Sequence, residues 1–249
     1  MDRMGHEEEM KISYFQVDGN GRMAPAALLA ILQEAAVSHS DALGYTVDFM
    51  VESQSVWAIV NWHIKTYRMP HQGERITVQT WSDQCRRIQA TRSFFLFDEQ
   101  GHKIVDGASR WIFMDFSTRK PRNVSEEMIQ AYGAKQESAI ENEKFSMPKE
   151  ADGELVGTHR FTVARRDTDT NGHANNVKYL EWAMDDVPDE IYDEHQIGDI
   201  RVAYRKECVR GDEVVTETYC KHTEGMIEVL TFIKNADDAV IAEVVTLWL

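Results

Sequence analysis

Cysteine and proline are both scarce in this chain, at three and five of 249 residues. Cys85, Cys208 and Cys220 lie far apart, which leaves neither a disulfide framework nor a zinc pattern, and a reducing cytosol fits best. No cluster of His, Asp and Glu has ligand spacing, so neither a metal nor a cofactor is expected. Positive charge is short too: 27 Lys and Arg face 42 Asp and Glu, a formal net charge of −15. A chain of that sign does not gather nucleic acid through a phosphate field, nor adsorb to an anionic membrane surface. No apolar run approaches the roughly 20 residues of a membrane helix, so membrane insertion is excluded as well. The N-terminus, MDRMGHEEEM, is polar and acidic. It has neither the apolar stretch of a secretory signal nor the acid-poor look of a transit peptide.

What remains is the composition of a folded protein, 43% hydrophobic and 28% charged. It suits one large domain or two small ones. An internal repeat favours two. Asp18-Gly-Asn-Gly-Arg22 is echoed by Asp169-Thr-Asn-Gly-His173, each before a helical stretch. Further on, Phe95, Ile104 and Trp111 match Phe232, Ile241 and Trp248 at one constant offset. Gly73-Glu74 and Gly211-Asp212 match at nearly the same offset. The chain therefore reads as two copies of a unit of about 110–130 residues, a common domain size.

Each unit follows one order. Residues 11–17 (KISYFQV) suit a short strand, Asp18–Arg22 a turn, and 24–43 a helix, with Pro25 in its first turn and Gly44 as its stop. Strand-like runs rich in Val, Ile, Thr, Phe and Trp follow at 56–68, 74–84, 90–98 and 103–116. In the second copy the strand is 159–165, the turn 167–173, and the helix 175–186, apolar on most sides and so expected to be buried. Its strands are near 199–208, 213–222, 226–234 and 239–248. The expected domains are 1–132 and 158–249, joined by a polar linker at 133–157 that follows a short helix at 125–132. Strand, helix and antiparallel meander define an α+β class, with the sheet laid against the helix.

Chemistry concentrates in the second copy. Asp169, Asn171 and His173 place a carboxylate, an amide and an imidazole just before a helix, whose N-terminus offers unpaired N–H groups to a developing oxyanion. Tyr204-Arg-Lys-Glu-Cys208 adds a carboxylate and a thiol on a predicted strand. Residue by residue, Asp-x-Asn-Gly is also a generic turn, Asn175 an ordinary helix cap, and a lone turn histidine more often structural. The repeat shifts that balance. The first copy keeps the turn but has Arg22 in place of His173, and Met69 falls near the place of Glu207. What both halves share reads as fold; what only the second has, His173 and Glu207, reads as chemistry.

The string Asp169-Thr-Asn through Asn-Asn-Val-Lys-Tyr179-x-x-Trp182, followed by Tyr204-Arg-Lys-Glu-Cys208, closely resembles the plant-type acyl-acyl carrier protein (acyl-ACP) thioesterases. Trp57 and Gly107-Ala-Ser-Arg-Trp-Ile-Phe-Met-Asp115 extend the similarity into the first half. The resemblance implies a double hotdog fold, two units each with a long helix wrapped by an antiparallel sheet. It implies hydrolysis of fatty acyl-ACP to free fatty acid and carrier, which ends fatty acid elongation. Lacking the plant members' targeting extension, the chain looks like a bacterial, cytoplasmic member. The first unit is expected to bind the acyl chain, with lining candidates on helix 24–43 and strand 56–62.

By that resemblance the catalytic positions fall on Asp169, Asn171, His173 and Glu207. Glu207 would be general base on a water, which calls for hydrogen-bond reach and a raised pKa. His173 would orient the water or bind the charged intermediate, Asn171 would position the carbonyl or contribute an amide donor, and Asp169 would orient Asn171 and the turn. A rival scheme makes Cys208 the nucleophile, with His173 and Asn171. Adjacent on a strand, Glu207 and Cys208 should point to opposite faces, so only one faces the site. Glu207 is favoured, with Cys208 as packing, because buried free cysteine is common. The carrier is acidic, so Arg86-Arg87, Arg119-Lys120-Arg122, Arg165-Arg166 and Arg205-Lys206 are its candidate docks. The alternatives are an acyl-CoA thioesterase, a hotdog dehydratase, and a non-catalytic acyl-thioester-binding protein. Either a monomer or a homodimer suits two fused units.

Overall fold

A computed structural model describes residues 5–133, 137–140 and 145–249. The chain divides into two compact units, one of Met1–Met23, Leu28–Trp62 and Met69–Glu143, the other of Ala24–Ala27, His63–Arg68 and Lys144–Leu249. Each is a hotdog unit, a helix against an antiparallel sheet, as expected. In the first, the strands β1 (His6–Lys11), β2 (Ser55–Thr66, as far as Trp62), β3 (Arg75–Arg86), β4 (Gln89–Phe97) and β5 (Lys103–Asp115) are ordered β1-β3-β4-β5-β2. In the second, β6 (Glu154–Thr162), β7 (Ile197–Tyr204), β8 (Glu213–Thr223), β9 (Met226–Asn235) and β10 (Val240–Trp248) run β7-β10-β9-β8-β6. The two orders are the same once corresponding strands are matched. The match reaches side chains: the Trp111 Nε1–H donates to Ser109 Oγ (2.7 Å), and the Trp248 Nε1–H to Thr246 Oγ1 (2.8 Å).

The helices differ. α1 (Pro25–Ala42) has 18 residues, and α4 (Asn176–Met184) has nine, ending before the 175–186 span expected of it. Leu28, Leu29 and Leu32 on α1 are fully buried, as is Ala35. Gly107 on β5 lets α1 lie close, since a Cβ there would stand 3.4 Å from Leu32 Cδ1 and 3.3 Å from Phe94 Cβ. On α4, Tyr179, Leu180, Trp182 and Ala183 are buried. Three further helices are short: α2 (Val47–Glu52), α3 (Glu126–Tyr132) at the expected 125–132, and α5 (Asp189–Glu194). Neither α2 nor α5 shows in the periodicity, each being under two turns.

Two expectations need correction. Residues 11–17 are not a strand. β1 is the preceding His6–Lys11, and Tyr14–Gln16 form a 3₁₀ turn, closed by the Ser13 N–H donating to Gln16 Oε1 (2.8 Å). Tyr14 and Phe15 are 80% and 85% exposed, so their apolarity does not mark a buried strand face. β1 escapes notice because Glu is depleted in strands; it is an edge strand, paired on β3, where charge is tolerated. Nor does β7 reach Glu207. It ends at Tyr204, paired to Ala242, because the N–H groups of Arg205 and Lys206 both turn onto the Ile241 carbonyl (2.8 and 3.1 Å).

Within the segment read as linker, 134–136 and 141–144 lie outside the described residues, and β6 already begins at Glu154. Among the described residues no helix is long and apolar enough to cross a membrane.

The core of the first unit contains a charge. Arg92 on β4 is buried; its Nη1–H donates to His39 Nδ1 (2.8 Å) and Thr80 Oγ1 (3.3 Å), and its guanidinium lies 5.7 Å from the centre of the Tyr132 ring. Burial first, then the Arg92 charge and His6, push the His39 imidazole down to about 3. Burial pushes the nearby Asp83 carboxyl up to about 6.

These shifts have opposite signs in stability. Folded His39 binds fewer protons than unfolded His39 between its ordinary range and about pH 3, so its contribution is complete above that range and drains away as pH falls. Asp83 binds more protons when folded, so its contribution weakens as pH rises toward 6. Replacing His39 by Gln keeps an acceptor for Arg92 and removes the first effect. Urea unfolding should show the wild type losing about 2–3 kcal/mol more than His39→Gln between pH 7 and pH 4. Equal losses would show that His39 is not held neutral by the fold.

Candidate active site

The turn before α4 is built by one carboxylate. Asp169 Oδ1 accepts the N–H groups of Asn171 (2.8 Å) and His173 (3.1 Å). The Asp169 N–H donates to the His173 carbonyl (2.8 Å), and Gly172, at φ +81°, takes the left-handed corner. Asn175 Oδ1 then caps α4 by accepting the Val177 N–H (3.0 Å). Asp18 makes the same turn in the first unit, accepting from Asn20 (2.9 Å) and Arg22 (3.0 Å). The turn is therefore scaffold, and what it carries differs.

The turn is tied to the loop after β7. The Ala174 N–H donates to the Cys208 carbonyl (2.8 Å), and His173 bridges Val209. In the first unit the Met23 N–H donates to the Pro70 carbonyl (2.8 Å), and Arg22 bridges His71. These two junctions fix the register between copies: Arg22 stands where His173 stands, and Met69 where Glu207 stands.

His173 and Glu207 come together. Nε2 of His173 is 3.5 Å from Oε2 of Glu207, with the imidazole 25% and the carboxylate 47% exposed, so water reaches both. That separation is slightly longer than an ordinary hydrogen bond. Asn171 is exposed at the tip of the turn and is joined to His173 through the backbone and Asp169.

Cys208 goes the other way. It is 3% exposed, and its Sγ lies 3.2 Å from the Tyr179 hydroxyl. Burial raises its pKa, with the Tyr179 contact lowering it in part. The opposite facing expected of neighbours on a strand arises here in a loop.

Sequence reading missed the residues that hold this loop. The Tyr179 hydroxyl accepts the Cys208 N–H (3.3 Å), and the Tyr204 hydroxyl donates to the Asn176 carbonyl (2.9 Å). Buried Asp167 closes the 3₁₀ turn before the site by accepting the Ala164 N–H (2.7 Å), and its carbonyl accepts the Asn175 N–H (2.7 Å). Tyr179 was detectable, because in the repeat it aligns with Leu28. The exposed Arg165-Arg166 pair sits on that 3₁₀ turn, whereas Arg205 is drawn into an ion pair with Glu243 (2.9 and 2.7 Å).

Tandem hotdog units with a histidine–carboxylate pair on the second define the class: proteins of the hotdog fold with one candidate site per chain. The chain belongs to the acyl-ACP thioesterase family, since residues 3–132 match its N-terminal domain and 151–249 its C-terminal domain. It is 27% identical over 228 residues to oleoyl-acyl carrier protein thioesterase 1, chloroplastic, of Arabidopsis thaliana, covering 86% of this chain and 63% of the relative. It thus spans less than two thirds of that relative's length. An acyl-ACP thioesterase structure from Bacteroides thetaiotaomicron is 27% identical with a TM-score of 0.87, covering 100% of this chain and 99% of that one. The 12:0-ACP thioesterase from Umbellularia californica, 21% identical with a TM-score of 0.89, covers 99% and 94% and shares the fold.

A buried thiol with a raised pKa is a poor nucleophile. In the native protein at pH 7.5, Cys208 should alkylate with iodoacetamide more than ~10-fold slower than free cysteine. Peptide mapping that found it the fast-reacting site would restore the nucleophilic scheme.

Proposed function

We propose that the protein hydrolyses the thioester of fatty acyl-ACP, releasing free fatty acid and the carrier's thiol. The observation that carries this reading is the His173–Glu207 pair, open to water, in the unit whose twin has Arg22 and Met69 at the same places. Glu207 takes a proton from the attacking water as general base. His173 orients that water and meets the charge that develops on the thioester oxygen. Asn171 positions the carbonyl, and Asp169 holds the turn that presents both. Cys208 is packing. Family membership supports the substrate class, and three buried cysteines that form no disulfide fit work in a reducing cytoplasm.

Thiol release should be followed with acyl-ACP and acyl-CoA over a range of chain lengths. The expected result is turnover of acyl-ACP, lost by at least ~100-fold in Glu207→Gln and His173→Ala and kept in Cys208→Ser. A dead Cys208→Ser with an active Glu207→Gln would replace the mechanism. Folded wild type that releases no thiol from either substrate would move the chain to the non-catalytic binding class.

The carrier is acidic, and Arg165-Arg166 is the exposed cationic pair joined by backbone to the site's turn. Charge reversal at both should raise KM for acyl-ACP about tenfold and leave KM for acyl-CoA unchanged. An equal effect on both substrates would remove this pair as the dock.

A further inference from the structure

The loop that carries Glu207 has no secondary structure of its own from Arg205 to Cys208. A half-exposed carboxylate on such a loop keeps its distance from His173 only if the loop's ends are fixed. Both ends are fixed, and by tyrosines. At the near end the Tyr204 hydroxyl donates to the Asn176 carbonyl in the first turn of α4 (2.9 Å). At the far end the Tyr179 hydroxyl accepts the Cys208 N–H (3.3 Å) and touches Cys208 Sγ (3.2 Å). The two rings meet edge to face, 5.5 Å between centres, and the Tyr179 ring also packs on Trp182 at 5.1 Å. Tyr179 is 2% exposed, so water does not compete for its hydroxyl.

The first unit provides the comparison. In the register set by the two turn–loop junctions, Tyr179 corresponds to Leu28, and Cys208 to Pro70. Leu28 is fully buried at the same place on its helix but has no hydroxyl, and Pro70 has no N–H to donate. The hydroxyl lock is therefore missing from the copy that lacks the His–Glu pair. A core packing role alone is met by leucine; a hydroxyl at that depth costs desolvation unless it is bonded.

We infer that Tyr179 is a positioning residue, which with Tyr204 clamps the loop ends and so sets the His173–Glu207 separation. This rests on the thioesterase reading above. Tyr179→Phe keeps the ring and its packing and removes only the clamp.

The experiment is a double-mutant cycle on thiol release from acyl-ACP, using wild type, Tyr179→Phe, Glu207→Gln and the double variant. Tyr179→Phe should lower kcat at least tenfold with KM within twofold and an unchanged far-ultraviolet spectrum. Because it acts through Glu207, the double variant should be no slower than Glu207→Gln alone. Independent losses that multiply, or an unchanged kcat in Tyr179→Phe, would overturn the inference while leaving the thioesterase reading intact. A folded wild type without activity would remove both. Tyr204→Phe, cutting the other end, serves as the second variant and should give the same non-additive pattern if Tyr179→Phe does not fold.

Discussion

A single backbone bond, from the Ala174 N–H to the Cys208 carbonyl, joins a turn and a loop that are remote in sequence. His173 is the residue before the donor, and Glu207 the residue before the acceptor. Neither would find the other through its own side chain, since a half-exposed pair of this kind contributes little to stability. The order of causes runs from backbone to chemistry. Asp169 folds the turn, the turn offers the Ala174 N–H, the bond brings the loop, and the loop brings the carboxylate. The first unit runs the same sequence through Asp18, Met23 and Pro70 and ends with Arg22 and Met69 in place of His173 and Glu207. Conformation and chemistry are thus separable here, as they are wherever function sits on a shared fold.

Desolvation separates the two candidate groups on the loop. It acts on Cys208, which is packed under Tyr179 and held in its thiol form. Glu207, its neighbour, stands nearly half open, where water is at hand. A nucleophilic thiolate needs the reverse: some exposure and a nearby cation. The exposure difference between these adjacent residues favours the proposed base over the nucleophile.

Much of this was legible in the sequence, for definite reasons. The meander strands follow from β-branched and aromatic runs between glycine turns, and α1 follows from its apolar spacing. The repeat even located Met69 opposite Glu207, because Gly73 and Gly211 mark turns that both copies need. β1 was not legible, because three consecutive glutamates read as a polar terminus; an edge strand on β3 tolerates them. The end of β7 was hidden because its cause, two N–H groups converging on the Ile241 carbonyl, lies on another strand. Tyr179 was overlooked because tyrosine in place of Leu28 looks like one core residue for another. Only the partner of its hydroxyl shows otherwise.

The units also differ in how they spend residues on their helices. α1 runs twice the length of α4 and buries three leucines completely, so the first unit holds its sheet by apolar packing, worth about 2–5 kcal/mol for each leucine lost to alanine. That core tolerates even a buried arginine, provided His39, Thr80 and the Tyr132 ring receive it. α4 gives half its buried positions to aromatic side chains, Tyr179 and Trp182. Aromatic residues with polar handles do what leucine cannot: they fill the core and reach out of it to a specific backbone group. A short helix of that kind holds a polar loop at a set distance, whereas a long leucine face holds only a sheet. The repeat thus preserves backbone geometry across both units, while at two buried positions, Leu28 against Tyr179 and Pro70 against Cys208, only the second unit has the hydroxyl and the N–H that bond across the loop.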